Sequence, residues 1–361
     1  MASTSDSDTA SVSNVAENRR RICDEFAAVA GTDSAVAQCY LAENEWDMER
    51  ALNSFFEADL ENVFDVDISP EGETSLKAKR QKAEEKPSGD CVDLTADSPG
   101  SAPKPSEEDD QKLSLISWNV DGLDTDNLAE RARGLCSYLV LYTPDVVFLQ
   151  ELIPPYVQYL KKRATSYLIV EGGEDGYFTG MMLKKSRVKF TESEIVTYPT
   201  TQMMRNLLVA QVDFKGQKLC LMTSHLESCK GHAQERMKQL RVVMERMREA
   251  PGDVTVLFGG DTNLRDTEVA KVGLPPSVYD VWERLGKQEH CRYTWDTKTN
   301  SNKTVPYISR CRFDRVYIRP ATTEGVPRLA PDHMALLGLE KLDCGRYTSD
   351  HWGIYCSFSA G

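Results

Sequence analysis

Residues 254–263, with the sequence VTVLFGGDTN, carry the pattern around which the C-terminal part of the chain is organised. The apolar run 254–258 predicts a buried strand, and the two glycines after it predict a tight turn of the backbone. That turn would place the carboxylate of Asp261 and the amide of Asn263 at the carboxyl end of the strand. There, one group can orient a water and the other can hold a phosphate oxygen. A turn that only satisfies its own backbone has the same composition, so the interpretation depends on the rest of the chain.

Three further predicted strands have acidic or amide side chains beside one end. These side chains are Asn119, Asp121, Glu151 and Asp350, with His351 next to the last of them. Residues so widely separated in sequence, all at strand ends, indicate one site at the mouth of packed sheets. Carboxylate and amide oxygens suit a hard ion such as Mg²⁺, whereas Zn²⁺ would take more nitrogen or sulfur ligands.

The periodicity of residues 112–361 predicts an α/β architecture. Apolar runs predict strands at 113–118, 146–149, 167–170, 177–183, 207–214, 218–224, 254–258, 312–318 and 352–358. Apolar residues at helical spacing predict helices at 128–142 and 231–249. Many strands with few helices to cover them favour two packed sheets with helices outside, an α/β sandwich. Residues 112–361 are numerous enough to bury its core as one domain.

Composition divides the chain into two parts. The formal net charge is −13, but residues 1–110 hold 26 acidic and 10 basic side chains, while residues 111–361 hold 30 acidic and 33 basic ones. The mildly basic C-terminal part is therefore free to approach a polyanion. Ten cysteines without a Cys-x-x-Cys pair favour reduced thiols over a zinc site or a disulfide framework. Neither an apolar run of membrane-spanning length nor a secretory signal is expected.

The N-terminal third predicts a small helical unit between two polar segments. Residues 1–14 are rich in Ser, Thr and Asp, which indicates a disordered tail, and residues 15–60 predict three short helices. This unit resembles a ubiquitin-associated (UBA-like) domain at Phe26, Gly31-Thr32, Ala37, Tyr40-Leu41, Trp46, Glu49, Ala51-Leu52 and Phe55-Phe56. The resemblance implies ubiquitin binding through a small apolar patch. The alternative is a three-helix spacer that uses the same residues as its core.

Residues 61–111 predict an acidic, disordered linker, because they are rich in Ser, Pro, Glu and Asp and hold few large apolar side chains. The basic run 77–82 would serve as a nuclear import signal, although short basic runs are usually solvated linker. The patch 91–95, followed by Asp97, resembles a SUMO-interacting motif, in which an extended segment adds to the edge of a sheet.

Residues 112–361 resemble the endonuclease/exonuclease/phosphatase superfamily, which includes DNase I and the abasic-site endonucleases. The matching stretches are 117–122 (SWNVDG), 149–151 (LQE), 223–225 (TSH), 259–263 (GGDTN), 312–316 (RFDRV) and 349–351 (SDH). The resemblance implies a four-layer α/β sandwich of the DNase I-like type and a Mg²⁺-dependent phosphodiesterase.

The same resemblance implies a role for each matched residue. The implied Mg²⁺ ligands are Glu151, Asp121 and Asp350, and the implied catalytic residues are Asp261, His351, Asn119, Asn263, Asp314 and His225. Asp261 would align the attacking water or accept its proton, and His351 would donate to phosphate, with Asp314 fixing its tautomer. The implied substrate-binding residues are Tyr177, Ser228, Arg265 and Trp295, with a place in the core as the alternative for Tyr177 and Trp295. Arg205 and Lys230 are candidates for contact with phosphates, but solvated surface is the favoured interpretation of each.

Local sequences narrow the branch of the superfamily. Residues 118–123 (WNVDGL) and 225–228 (HLES) match the branch that hydrolyses 5′-tyrosyl-DNA linkages left by trapped topoisomerase 2 and that also carries a UBA-like domain. The resemblance implies a nuclear and cytoplasmic enzyme that uses Mg²⁺, tolerates Mn²⁺ and leaves a 5′-phosphate for repair. Its partners would be such DNA 5′ ends, ubiquitin and SUMO, and no membrane. Two alternatives stay open, namely another nuclease or phosphatase activity of the superfamily and a ubiquitin-dependent signalling adaptor.

Overall fold

The computed structural model describes residues 21–29, 37, 41, 46–48, 51–52, 112–305 and 307–360. The chain divides into two compact units, Met1–Leu94 and Thr95–Gly361. In the first unit residues 21–29 are helical, and the buried apolar side chains among the described residues are Cys23, Phe26, Ala37, Leu41, Ala51 and Leu52. The predicted tail, linker, import signal and SUMO-type segment lie outside the described residues. The domain boundaries at 15, 61 and 112 stay predictions.

The second unit is built on two six-stranded sheets. The first sheet contains β1 (Leu113–Asn119), β2 (Val146–Leu152), β3 (Tyr167–Glu171), β4 (Phe178–Lys184), β13 (Leu329–Leu337) and β14 (Gly353–Ala360), in the order β13-β14-β1-β2-β4-β3. The second contains β5 (Val188–Thr197), β6 (Asn206–Phe214), β7 (Gln217–Ser224), β8 (Thr255–Asp261), β9 (Tyr279–Asp280) and β12 (Asp314–Arg319), in the order β5-β6-β7-β8-β12-β9. A separate two-stranded ribbon pairs β10 (Trp295–Asp296) with β11 (Arg310–Cys311).

The main core lies between the two sheets. Inward-facing side chains such as Leu115 and Phe148 of the first sheet pack against Leu221 and Leu257 of the second, and all four are buried. Burial of each such side chain stabilises the fold by about 1.5–3 kcal/mol relative to exposure. Within each sheet one pair of strands is parallel, β1 with β2 and β7 with β8. Parallel neighbours end at the same edge of their sheet, so their carboxyl ends can share a site.

Helices α1 (Leu128–Tyr142), α2 (Pro154–Arg163), α3 (Ala233–Glu249) and α4 (Asp266–Val272) cover the outer faces of the sheets. A single turn, α5 (Val281–Arg284), and a 3₁₀ turn at Glu289–Cys291 instead add Val281, Trp282 and Cys291 to the core between the sheets. A second 3₁₀ turn lies at Lys230–His232. Leu240 and Met247 of α3 pack against Val209 and Phe258 of the second sheet. Tyr138 of α1 meets the ring of Trp118 on the first sheet edge-to-face, with ring centroids 5.3 Å apart. The four-layer α/β sandwich predicted from the sequence is confirmed. Within the described residues, no helix combines the length and apolarity needed to cross a bilayer.

The two glycines of the opening stretch do not form the tight turn that the sequence suggested. Strand β8 continues through Gly259 and Gly260 to Asp261. Their lack of a side chain serves close packing instead. A Cβ on Gly260 would overlap the carbonyl oxygen of Ser224 on β7, and a Cβ on Gly259 would lie 2.7 Å from the ring of Phe148. The glycines therefore bring β8 close to its neighbours, and Asp261 is held by the sheet rather than by a loop.

Candidate active site

Four segments that are distant in sequence meet at one edge of the sandwich, and Asn119 lies at their centre. Asn119 ends β1, and its Nδ2 donates to Glu151 Oε1 at 2.9 Å and to Asp261 Oδ2 at 3.0 Å. Its Oδ1 accepts the backbone N–H of Asp121 at 2.9 Å. His351 Nε2 lies 3.6 Å from the same oxygen of Asp261. One buried amide therefore holds the two carboxylates of Glu151 and Asp261 in fixed positions, and His351 faces the second of them.

Several site residues have a backbone conformation that non-glycine residues rarely adopt. The φ angles of Asp121, Glu151 and Asn263 are 51°, 57° and 51°. At Glu151 the pairing of β2 with β4 also shifts register between Leu149 and Leu152. Such bulges redirect a side chain, and strained residues of this kind cluster at functional sites. Three of the implied functional residues therefore share a strained backbone that the surrounding sheets must hold in place.

Asp261 is a buried carboxylate surrounded by polar and charged groups. Its Oδ1 accepts the backbone N–H of Asn263 at 3.0 Å, and its Oδ2 lies 3.3 Å from His225 Nε2. Burial raises the pKa of Asp261 to about 7, with Asp314 and Glu151 adding to the rise while His351 and Asn119 oppose it. A carboxylate of this basicity is suited to take a proton from water near neutral pH.

His351 is held as the cationic member of the site. Its Nδ1 lies 2.8 Å from Asp314 Oδ2, and its backbone carbonyl accepts the indole N–H of Trp118 at 2.9 Å. Burial alone would lower the pKa of His351, but Asp314, Asp261 and Asp350 outweigh it and raise that pKa well above its ordinary value. The imidazolium can then donate from Nε2 to an oxyanion.

His225 is the neutral histidine of the pair. Arg205 Nη1 lies 3.0 Å from His225 Nδ1. Because a guanidinium can only donate, Nδ1 carries a lone pair and the ring proton lies on Nε2, which faces Asp261. Burial and the positive charge of Arg205 lower the pKa of His225 well below its usual value. The two histidines beside Asp261 thus carry different charges, because His351 is paired with a carboxylate and His225 with a guanidinium.

Arg205 is not the solvated surface residue that the sequence suggested. Its side chain is 7% exposed, stacks over the ring of Tyr177 at 4.9 Å and donates to Ser228 Oγ at 3.0 Å. These contacts, together with the one to His225, bury the guanidinium within the site. The interpretation of Arg205 as solvated surface was wrong because its partners Tyr177, His225 and Ser228 are all distant from it in sequence, so no local pattern showed that it is buried. Lys230 is exposed, as expected.

The implied Mg²⁺ ligands Glu151, Asp121 and Asp350 lie close enough together for the charge of Asp350 to act on the other two carboxylates. Burial raises the pKa of Glu151 and of Asp121, and the charge of Asp350 raises both further. Asp121 Oδ2 is buried without a hydrogen-bond partner among the described residues, while its Oδ1 lies 3.1 Å from Lys303 Nζ. Among the described residues, the groups whose ligand atoms lie within 4.8 Å of one another are Glu151, His225 and Asp261, and Asp261, Asp314 and His351. Hard oxygen ligands with an unmet demand for positive charge match the chemistry of Mg²⁺.

The four implied substrate-binding residues border the same cluster. The ring of Tyr177 meets His225 edge-to-face with centroids 6.5 Å apart, and Ser228 Oγ lies 3.4 Å from Asn263 Nδ2. Trp295 Nε1 donates to Asp350 Oδ2 at 3.3 Å. Both Trp295 and Arg265 pack on the ring of Phe313, at 5.8 Å and 5.1 Å. The structure therefore places all four beside the catalytic group, and their contact with substrate stays a prediction.

Arg131 organises the site without any sequence motif to mark it. The side chain is fully buried in α1. It donates to the carbonyls of Val120 and Asp121 after β1, and to the carbonyl of Thr348 before β14. These bonds join the loop that carries Asp121 to the loop that leads to His351. A single arginine in an amphipathic helix is normally expected at the surface, so the sequence gave no indication that Arg131 is buried.

Comparison with known proteins agrees with both units. Residues 20–61 match the model of the UBA-like domain, and residues 116–351 match the model of the Endonuclease/Exonuclease/phosphatase family. Tyrosyl-DNA phosphodiesterase 2 of Danio rerio is 66% identical over 372 residues, which cover 96% of this chain and 100% of the relative. The human protein of that name is 54% identical over 350 residues, covering 94% of this chain and 92% of the relative.

Solved structures extend the comparison. The crystal structure of the Danio rerio protein complexed with a single strand DNA product is similar with a TM-score of 0.68 and 76% identity, and covers 69% of this chain and 99% of that one. The human Nocturnin catalytic domain, at 17% identity and a TM-score of 0.52 over 70% of this chain and 94% of that one, shares the fold. With a UBA-like domain followed by an endonuclease/exonuclease/phosphatase domain, the chain therefore belongs to the tyrosyl-DNA phosphodiesterase 2 family.

Proposed function

We propose that this protein is a Mg²⁺-dependent phosphodiesterase that hydrolyses the 5′-tyrosyl-DNA linkages left by trapped topoisomerase 2, giving a 5′-phosphate end. The observation that carries the proposal is the convergence of Asn119, Glu151, Asp261 and His351 on one buried point. The relatives named above support the class of substrate. The geometry supports hydrolysis of a phosphodiester, since it combines a base, a charged donor and a group of carboxylates.

Asp261 prepares the nucleophile. Its two oxygens are held by Asn119 and by the backbone of Asn263, so the carboxylate cannot rotate freely. A pKa of about 7 leaves a large fraction ionised at neutral pH, yet keeps the carboxylate basic enough to accept a proton from water. Asp261 therefore aligns the attacking water and accepts its proton as the new bond to phosphorus forms.

His351 and His225 act on the phosphoryl oxygens. The imidazolium of His351, held by Asp314, donates to the oxygen that gains negative charge in the transition state. His225, neutral with its proton on Nε2, directs that N–H at Asp261 Oδ2 3.3 Å away and becomes a second donor when a bound phosphoryl oxygen takes the N–H from the carboxylate. Positioned donors that require no reorganisation during the reaction lower the barrier most.

The carboxylates of Glu151, Asp121 and Asp350 would hold Mg²⁺. When bound, the ion supplies positive charge to a non-bridging phosphate oxygen, and Mn²⁺ prefers the same oxygen ligands. The demand on an acid catalyst at the leaving group is small, because a tyrosyl phenol has a pKa of about 10 and departs readily as phenolate. Trp295 and Arg265 then serve the DNA strand by stacking and by charge.

A substrate comparison tests the proposed function. Purified full-length chain is offered a 5′-phosphotyrosyl oligonucleotide, an abasic-site duplex and an inositol phosphate, each with Mg²⁺, with Mn²⁺ and with a chelator. We expect cleavage of the first substrate only, with either metal and not with the chelator. Cleavage of the duplex or the inositol phosphate, with the tyrosyl substrate untouched, would assign a different activity of the superfamily.

The UBA-like match over 20–61 favours ubiquitin binding as a second function of the chain. The proposal concerns the first unit alone, so a fragment of residues 1–60 is sufficient once circular dichroism shows that it is helical. Chemical-shift changes on titration with ubiquitin would support it, and their absence at millimolar ubiquitin would leave the spacer interpretation.

We propose that the protein is located in the nucleus and the cytoplasm. Imaging of the chain with and without the basic run 77–82 tests this location.

A further inference from the structure

Glu227 is a fully buried carboxylate that the proposed chemistry does not use. It follows His225 by two residues, and its side chain is 0% exposed. Its oxygens accept hydrogen bonds from Thr201 Oγ1 at 2.8 Å, from the backbone N–H of Gln202 at 2.7 Å and from Gln239 Nε2 at 2.8 Å. Burial of a carboxylate is costly, and these three donors are neutral, so a purely structural role would be served at lower cost by an apolar side chain.

Thr201 links Glu227 by hydrogen bonds to the backbone of the loop between β5 and β6. A hydroxyl has one proton, and here Thr201 Oγ1 gives it to Glu227. Its lone pairs are thereby turned toward the backbone, where they accept the N–H of Arg205 at 3.0 Å and that of Met203 at 3.3 Å. The carboxylate thus fixes the orientation of one hydroxyl, and that hydroxyl fixes the backbone from which Arg205 projects.

Arg205 is the end of this chain of contacts. Its guanidinium donates to Ser228 Oγ at 3.0 Å and meets His225 Nδ1 at 3.0 Å. The second contact keeps the proton of His225 on Nε2, which faces Asp261 Oδ2 at 3.3 Å. A displacement of Arg205 would free Nδ1 to take the proton and would leave a lone pair facing the carboxylate of Asp261.

We infer that Glu227 and Thr201 are positioning residues that hold Arg205 against His225 and thereby maintain the tautomer of His225 that presents Nε2–H to Asp261. Neither residue touches the reacting atoms. Their effect on turnover rests on the proposed function, whereas their effect on the His225 tautomer does not.

The chain offers a matched set of variants at two neighbouring threonines. Thr201→Val keeps the shape of the side chain and removes the hydroxyl, whereas Thr201→Ser keeps the hydroxyl. Thr200→Val is the control, because the exposed Thr200 donates instead to Glu235 Oε2 on α3, at 2.7 Å. All are made in the full chain, and thermal melting confirms that each is folded.

Two measurements decide the inference. For Thr201→Val we expect kcat on the 5′-phosphotyrosyl oligonucleotide to fall about tenfold with KM changed less than about twofold, since small misplacements of reacting groups are costly. In ¹H–¹⁵N spectra of the imidazole rings, the His225 signal, assigned by its loss in His225→Gln, should move from the Nε2–H tautomer to a mixture. Thr201→Ser and Thr200→Val should resemble the wild type in both measurements.

A Thr201→Val protein with the kcat and the His225 spectrum of Thr200→Val would overturn the inference. If Thr201→Val does not fold, Glu227→Met replaces it, because this side chain has a similar length but lacks the carboxylate oxygen that accepts the hydroxyl of Thr201. An unchanged His225 spectrum in folded Glu227→Met would equally contradict the inference. If the tyrosyl substrate is never cleaved, the proposed function fails while the tautomer measurement still decides the role of Thr201.

Discussion

Asp261 is the residue on which the proposed hydrolysis depends most directly. Asp261→Asn keeps the size of the side chain but removes its charge and basicity, so we expect kcat to fall by about 10²–10⁴-fold. Affinity for a 5′-phosphate oligonucleotide, measured by fluorescence anisotropy, should not fall, because the change removes a negative charge from beside the phosphate. Asp253→Asn, which alters a surface carboxylate paired with Lys218, is the control. Near-normal turnover by Asp261→Asn would remove Asp261 from the role of base.

The ion pair of His351 with Asp314 makes a prediction about pH. His351 must be protonated to donate to phosphate, so its contribution is present below its pKa and lost as pH rises through that value. Asp314 raises the pKa of His351. Asp314→Asn should therefore lower that pKa toward its ordinary value near 6.5 and shift the alkaline loss of activity to lower pH.

Profiles of kcat/KM from about pH 5 to 10 for wild type and Asp314→Asn measure the shift. Asp332→Asn, which changes an exposed carboxylate bonded to Ser359, controls for the loss of one negative charge. An alkaline limb that stays in place in Asp314→Asn would show that His351 does not act as the charged donor.

At the scale of elements, the sequence predicted best where one face of an element is buried along its whole length. Helix α1 was predicted with its observed bounds, since its apolar spacing is regular. Strand β5 was missed because most of its residues are exposed, so it lacks a buried run. The motifs predicted which residues gather at the site, but Arg131 and Arg205 were not predictable. Their roles come from carbonyls and rings supplied by distant segments, which no local pattern records.

Because β8 packs closely against β7, we expect even the methyl group added by Gly260→Ala to destabilise the fold. In Gly260→Ala the new Cβ would overlap the carbonyl oxygen of Ser224, and backbone cannot move aside as a flexible side chain can. We expect a loss of about 1–3 kcal/mol in the free energy of unfolding, measured by denaturant titration, together with lower kcat because Asp261 follows directly. Gly231→Ala is the control, since its Cβ would meet open space. Equal stability of the two variants would contradict the packing role assigned to Gly260.

At the scale of the whole molecule, the N-terminal part carries the same negative charge as the proposed DNA substrate. Residues 1–110 carry a large excess of acidic side chains, while residues 111–361 carry three more basic than acidic ones. We expect the acidic N-terminal residues to repel a polyanion wherever it comes within about 8 Å of them at physiological salt. The repulsion is not specific to sequence, so it should act on any single-stranded oligonucleotide.

Removal of residues 1–110 should accordingly tighten DNA binding, and salt should abolish the difference. We expect the Kd of residues 111–361 for a single-stranded oligonucleotide to be several-fold lower than that of the full chain at about 50 mM salt, with the two values converging at about 0.5 M. A full chain in which Glu107, Glu108, Asp109 and Asp110 are replaced by their amides separates charge from length, and should recover part of the gain. If that variant binds like the wild type while the truncated chain binds more tightly at every salt concentration, the N-terminal part acts by occupying space rather than by its charge.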